Sequence, residues 1–164
     1  MMRIMNSFCW NCFQTIDSDD ALCRDCGRQQ NPVPGDLREK LIRALKHPIG
    51  ETRRRASFLL GQKRVSEATA DLDDLVEHDP DPYVAAEAVT ALEKIGTPDA
   101  LYGIERAASH ESFVVRQRAV EALMAAGGEW ADAAREIAED DPSPSVREAA
   151  ETDPAKKDPL ARHL

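Results

Sequence analysis

The amino-acid sequence predicts an all-α fold, a short stack of helix pairs preceded by a small cysteine-bearing module. Residues 36–152 repeat with a period of 31 to 32 residues, and all four cysteines lie within the first 26 residues. Aromatic residues are few (2 Trp, 2 Tyr and 4 Phe), whereas Ala and Leu are abundant. Such a composition favours packed helices over a β-sandwich.

The repeat is clearest at two adjacent positions, which recur at steps of 32, 31 and 31 residues: Thr52-Arg53, Val84-Ala85, Val115-Arg116 and Val146-Arg147. A small residue recurs four positions later and a His or Asp five positions earlier: Ala56, Ala88, Ala119 and Ala150, and His47, Asp79, His110 and Asp141. Independent helices would not share one register, so the pattern indicates a repeat array. Because the Arg, His and Asp recur with the repeat, we interpret them as structural hydrogen-bonding positions.

Each repeat divides into two helices, because apolar residues follow one helical face twice within each period. Asp36 precedes the first helix as an N-cap, with Glu39 as its capping-box partner. Asp81-Pro82 and Thr97-Pro98 are typical of an N-cap followed by proline at the first helical position. The register predicts that four side chains are buried: Val84, Leu92, Val115 and Leu123.

Residues 36–152 resemble HEAT repeats, specifically the short HEAT-like repeats of the phycobilin lyase type. The resemblance is carried by Asp79-Pro80-Asp81-Pro82-Tyr83-Val84, then Ala88, Leu92, Ile95-Gly96 and Ala100, and its opening recurs in residues 141–147. It implies a right-handed α-solenoid of about four helix pairs. It implies little about function, because solenoids host many roles.

The cysteines follow the spacing Cys9-x2-Cys12, ten residues, Cys23-x2-Cys26. Two residues between cysteines let one turn direct both thiolates at one ion, and two such knuckles complete the tetrahedral shell that zinc favours. We therefore predict one structural Zn²⁺ with no open position for a catalytic water. Two disulfides, or iron in a rubredoxin-like site, are the alternatives.

The first 28 residues resemble the small N-terminal zinc-ribbon domains of many bacterial and archaeal proteins, whose knuckles read Cys-Pro-x-Cys-Gly. Cys26-Gly27 keeps that glycine, whereas Trp10 replaces the first proline and Phe13 the first glycine. Trp10 and Phe13 form the ribbon's own small core, pad the ribbon against the first repeat, or offer an aromatic contact to a partner. We divide the chain into a zinc ribbon (1–28), a linker (29–35), the repeats (36–152) and a flexible tail (153–164).

The second helix of each repeat is the candidate binding surface, because second helices line the concave face of HEAT-type solenoids. A helical wheel places six residues there: Arg54, Phe58, Thr90, Gln117, Glu121 and Met124. The full stripe, which also contains Ser57, Ala86, Val89 and Val120, is mostly small and apolar. This favours a protein partner, although partial burial of Phe58, Val89 and Val120 between helices is the alternative. Arg54 and Arg55 are the candidates for an anionic contact.

Charge and motifs restrict the function. The net charge of −9 argues against a general nucleic-acid coat. Residues 36–69 nevertheless hold nine Lys/Arg against four Asp/Glu, a net of +5, and residues 70–100 hold one Lys against nine acids, a net of −8. This asymmetry indicates either an oriented partner or a solvated mixed surface. No phosphate loop, nucleophile elbow or His-Glu-x-x-His motif occurs, so we expect no catalysis and no small-molecule substrate.

The sequence therefore predicts a non-catalytic adaptor that holds a protein partner with its repeats and ribbon. The alternative is a nucleic-acid or ribosome-associated factor whose ribbon and basic first repeat contact phosphate. No apolar run approaches the ~20 residues of a membrane helix, and Met1–Ser7 has no apolar stretch typical of a signal peptide. We expect a cytoplasmic protein with no membrane partner, where paired cysteines favour metal over disulfides.

Overall fold

A computed structural model of the chain describes residues 6–17 and 19–151. Within these ranges the chain forms one β-hairpin followed by eight α-helices. The strands are β1 (Asn6–Phe8) and β2 (Thr15–Asp17); the helices are α1 (Leu37–Ala44), α2 (Gly50–Gln62), α3 (Thr69–His78), α4 (Pro82–Ile95), α5 (Pro98–Ala107), α6 (Phe113–Ala126), α7 (Gly128–Glu139) and α8 (Pro144–Glu151). The predicted tail, 153–164, lies outside the described residues.

The helices pair in chain order as α1/α2, α3/α4, α5/α6 and α7/α8, which gives the four predicted repeats. Helices α2, α4, α6 and α8 contact one another in succession and form the second-helix layer. Helix α1 packs on α2, and α3, α5 and α7 contact one another in succession; these four helices form the first-helix layer. Between residues 36 and 151 the structure contains no strand, so the predicted all-α solenoid is confirmed. None of the described helices is long and apolar enough to span a membrane.

Short polar side chains cap the first turns of α1, α4 and α5, as predicted. The Asp36 side chain accepts a hydrogen bond from the Glu39 backbone N–H at 2.9 Å, and the Glu39 side chain accepts one from the Asp36 N–H at 2.8 Å. This reciprocal pair is a capping box. Before α4, the Asp81 carboxylate accepts the N–H of Tyr83 at 2.9 Å. These contacts satisfy N–H groups that have no partner inside the helix.

One continuous apolar core lies between the two layers. The four side chains predicted to be buried are at most 1% exposed, which confirms the repeat register: Val84, Leu92, Val115 and Leu123. Helices α2 and α4 approach closely at Gly61, where an added Cβ would lie 2.7 Å from the Cα of Ala91. Only glycine lets the two backbones meet at this crossing.

Candidate metal centre and candidate binding face

The four cysteine sulfur atoms converge at the turn end of the hairpin, all within 4.8 Å of one another. The Sγ atoms of Cys9 and Cys26 are 3.6 Å apart, and those of Cys12 and Cys23 are 3.7 Å apart. A disulfide would bring two sulfurs to about 2.05 Å, and all four cysteines are free. A tetrahedral zinc ion with Zn–S bonds of about 2.3 Å places its sulfurs about 3.8 Å apart. The cluster therefore fits a four-thiolate zinc shell.

The two knuckles have the same backbone geometry. In the first, the N–H of Cys9 donates to the carbonyl of Gln14 at 2.9 Å, and the N–H of Phe13 donates to that of Cys9 at 3.0 Å. In the second, Cys23 donates to the carbonyl of Arg28 and Gly27 donates to that of Cys23, both at 2.9 Å.

Phe13 and Gly27 occupy equivalent positions in these knuckles and adopt φ angles of +59° and +69°. A non-glycine residue in this region costs roughly 1–2 kcal/mol. The first knuckle therefore keeps the same turn conformation, although Phe13 stands where the second knuckle has Gly27. The phenylalanine also supplies an aromatic ring.

The thiols of the cluster do not ionise alike. Burial opposes ionisation of Cys9, but hydrogen bonds from the backbone N–H groups of Cys12 and Asn11 outweigh it and lower the pKa of Cys9 to about 6. At Cys12 the N–H of Gln14 opposes the shift, yet burial and the neighbouring sulfur atoms raise its pKa to about 12. Four negative charges at this separation repel one another strongly. A divalent cation bound by the four sulfurs would allow all four thiolates to coexist.

The ribbon packs on the first repeat through its aromatic residues. The rings of Phe8 and Phe13 meet the His47 imidazole edge to face, with centroids 4.9 and 5.4 Å apart. The Arg43 guanidinium lies over the Trp10 ring, 4.8 Å from its centroid. Among the roles predicted for Trp10 and Phe13, these contacts correspond to padding against the first repeat. The structure places His47 and Arg43 in a role that no sequence motif marks.

Gln29 and Gln30, which were predicted from sequence to lie in the linker, are hydrogen-bonded to the ribbon. The Trp10 indole donates to the Gln29 carbonyl at 2.7 Å, and the Gln30 amide donates to Cys9 Sγ at 3.4 Å. An N–H donor to sulfur favours the thiolate form, the form that binds metal.

Recurring arginines join successive repeats through a contact that we call the arginine clamp. Arg53 donates from Nε and Nη2 to the two carboxylate oxygens of Asp79, at 2.6 and 2.9 Å. Its Nη1 donates to the carbonyls of His47 and Pro48. Arg116 makes the same contacts with Asp141, at 2.7 and 3.0 Å, and with the carbonyls of His110 and Glu111. The predicted structural role of these positions is confirmed.

The junction between the second and third repeats is built differently. Ala85 stands at the arginine position of the second repeat, so no clamp extends from α4. Arg118 of α6 instead donates to the Thr90 hydroxyl at 2.8 Å and pairs with Glu93, both on α4. Thr90, proposed as a partner contact, is therefore already hydrogen-bonded across this junction.

The start of the second-helix layer carries a cavity of about 450 Å³ between α2 and α4, which we call the α2/α4 cavity. Its lining residues are Glu51, Arg54, Arg55, Phe58, Leu59 and Glu87. Phe58 is 44% exposed, and the Lys94 ammonium lies over its ring at 5.1 Å. Arg54 pairs with Glu51 at 3.0 Å. The predicted residues Arg54, Arg55 and Phe58 thus share one site.

The remaining predicted contacts lie further along the layer. The Gln117 amide donates to Glu121 at 3.4 Å, and Glu121 also pairs with Arg118 at 3.7 Å. Met124 is only 5% exposed and lines a separate cavity of about 870 Å³ beside α7 and α8. Val89 and Val120, on the same helical face, are fully buried. Three large aromatic side chains of the second-helix layer are exposed, Phe58, Tyr83 and Phe113, and of these Phe58 lines the α2/α4 cavity.

Two overlapping segments, residues 38–106 and 71–152, match the family model described as HEAT repeats. Together they cover most of the chain and all eight helices but the first residue of α1. No curated protein matches the chain. With its four helix pairs in two layers and its repeated clamps, this chain belongs to the HEAT-repeat family.

Proposed function

We propose that the chain is a cytoplasmic, non-catalytic adaptor that binds a protein partner through the concave face of its second-helix layer. HEAT repeats generally act as protein-interaction scaffolds. The observation that carries the proposal is the exposed Phe58 ring in the α2/α4 cavity, because exposed aromatic side chains in concave sites are typical anchors for partners. The adjoining ribbon extends this surface from the end of the first repeat.

The ribbon contributes as a fixed structural part. In the proposal, Cys9, Cys12, Cys23 and Cys26 hold one zinc ion, which cross-links the two knuckles and supplies folding energy. The aromatic contacts to His47 then hold the ribbon against the repeats. The resemblance to the phycobilin lyase type concerns the repeats alone and brings no activity to this proposal.

The rival, a nucleic-acid or ribosome-associated factor, is less well supported at this site. The two arginines of the α2/α4 cavity share it with the carboxylates of Glu51 and Glu87. A surface that tracks a phosphate backbone uses many uncompensated cations. A continuous phosphate backbone in the cavity would therefore meet these two carboxylates as well as the two arginines.

Capture from native lysate tests the proposal. Phe58→Ala should reduce the amount of captured protein at least tenfold, since anchoring aromatics dominate interface energy. Tyr102→Ala, which removes an exposed aromatic from the first-helix layer, is the matched control and should leave capture unchanged. Thermal unfolding should confirm that both variants are folded. Capture that nuclease abolishes, or that survives Phe58→Ala, would contradict the proposal.

A further inference from the structure

Two cations at the α2/α4 cavity form no ion pair with a described carboxylate: Arg55, which lines the cavity, and Lys94, which contacts the lining residue Phe58. Arg55 is exposed and, within the described part of the chain, makes no hydrogen bond and no ion pair. The Lys94 ammonium contacts the Phe58 ring and forms no ion pair with any described carboxylate. Arg54, by contrast, is neutralised by Glu51. The exposed Phe58 ring therefore lies near two cations without an ion-pair partner. Hydrogen bonds from Arg54 and, to a lesser extent, the charge of Arg55 nevertheless lower the pKa of Glu51, and the charge of Lys94 acts on Glu87.

The carboxylates near the cavity limit how much negative charge it can accept. Glu87 lines the cavity, and burial raises the pKa of its carboxyl above the ordinary value, although the charges of Lys94, Arg54 and Arg118 oppose the shift. Glu51 also lines the cavity and forms an ion pair with Arg54. A ligand with one or two carboxylates can reach the free cations, whereas a continuous polyanion would also meet these two acids.

The α2 side of the cavity is its basic side, whereas α4 belongs to residues 70–100, which carry a net charge of −8. Residues 36–69 hold nine Lys/Arg against four Asp/Glu, a net of +5, in a chain whose net charge is −9. Arg55 and Phe58 are three residues apart on α2 and therefore lie on the same helical face. The cavity thus combines an apolar contact with positive charge beside it.

We propose that the α2/α4 cavity binds an acidic segment of the protein partner. One large apolar side chain of that segment packs on Phe58, and carboxylates beside it pair with Arg55 and Lys94. This inference rests on the proposed function and names the chemistry of the partner at the same site. Charge complementarity of this kind selects the partner and accelerates its association.

Panning a display library of random linear peptides on the zinc-loaded full chain tests the inference. Enriched peptides should carry a large apolar residue within four positions of Asp or Glu. Arg55→Glu and Lys94→Glu should each weaken binding of an enriched peptide about tenfold or more, and Phe58→Ala should weaken it similarly. Lys40→Glu is the matched control, since it makes the same charge change on an exposed residue of α1, and should have little effect.

The outcomes separate this inference from the proposed function. Suppose that the enriched peptides lack acidic residues and that their binding requires Phe58 but is unchanged by Arg55→Glu. This result would overturn the inference and leave the proposed adaptor function standing. Enriched peptides that are indifferent to Phe58→Ala would overturn both, as would the absence of any enrichment. If a mixed-sequence single-stranded RNA binds the wild-type chain and Arg55→Glu abolishes this binding, the cavity is a nucleic-acid site and the inference is wrong.

Discussion

Replacing Cys12 with serine, or removing metal with a chelator, is expected to unfold the ribbon and leave the repeats folded. The ribbon core consists of Cys9, Ile16 and Cys23, with Cys12 and Cys26 packed against it. So small a core cannot offset the conformational entropy of the segment without the metal. The repeats have their own core, which contains no ribbon residue. Far-ultraviolet circular dichroism should therefore stay helical while limited proteolysis removes the N-terminal segment.

The metal itself can be counted in the same experiment. The wild-type chain should contain one equivalent of zinc by elemental analysis, with four sulfur ligands in X-ray absorption. Asn11→Ser is the matched control, because Asn11 is an exposed residue inside the first knuckle and only its backbone N–H contacts a sulfur. A thiol titration that finds no free thiols in unreduced, metal-free chain would show disulfides and refute the zinc site.

Asp141→Ala is expected to destabilise the repeats by about 3–5 kcal/mol, because it leaves the Arg116 guanidinium without its partner in a poorly solvated site. The two side chains are only 13% and 5% exposed, for Arg116 and Asp141 respectively. Urea denaturation at neutral pH measures the loss. Asp140→Ala, at the exposed neighbouring carboxylate, should change the free energy of unfolding by less than about 0.5 kcal/mol.

The same clamp predicts a loss of stability in acid. Hydrogen bonds from the Arg116 side chain hold the pKa of Asp141 below its ordinary value of 3.8. A carboxyl whose pKa is lower in the folded state stabilises the fold above its unfolded pKa, and this stabilisation is lost as the pH falls through the folded pKa. The wild-type chain should thus lose stability below about pH 4 more steeply than Asp141→Ala. Equal stability of Asp141→Ala and Asp140→Ala would contradict the role of the clamp.

Much of the fold could be predicted from the sequence because each recurring position requires one kind of side chain, either apolar for the core or polar for a helix cap. Val84 and Val115 recur at a core position, and Asp81 and Thr97 precede prolines that can only begin a helix. The four cysteines likewise have few structural uses at their spacing. Local patterns of this kind do not depend on how distant parts of the chain meet.

The binding face was less predictable for a geometric reason. A helical wheel treats each second helix as if it had one buried face, but α4 and α6 lie between neighbours within their own layer and also pack on the first-helix layer. Val89, Val120 and Met124 are buried by these lateral contacts. The packing of Phe13 on His47 joins segments far apart in sequence, so no periodic sequence pattern predicts this contact. Its one local signal is an aromatic residue where the knuckle pattern has glycine.

Site-specific photo-crosslinking tests most directly whether the second-helix layer is the surface that binds a protein partner. A photoreactive aromatic residue would replace Phe58 in one variant and Tyr102, in the first-helix layer, in the other, both within the full zinc-loaded chain. The account predicts that the probe at position 58 crosslinks to a discrete protein and that the probe at position 102 does not. Crosslinks to RNA at position 58, or equal labelling from both positions, would contradict it.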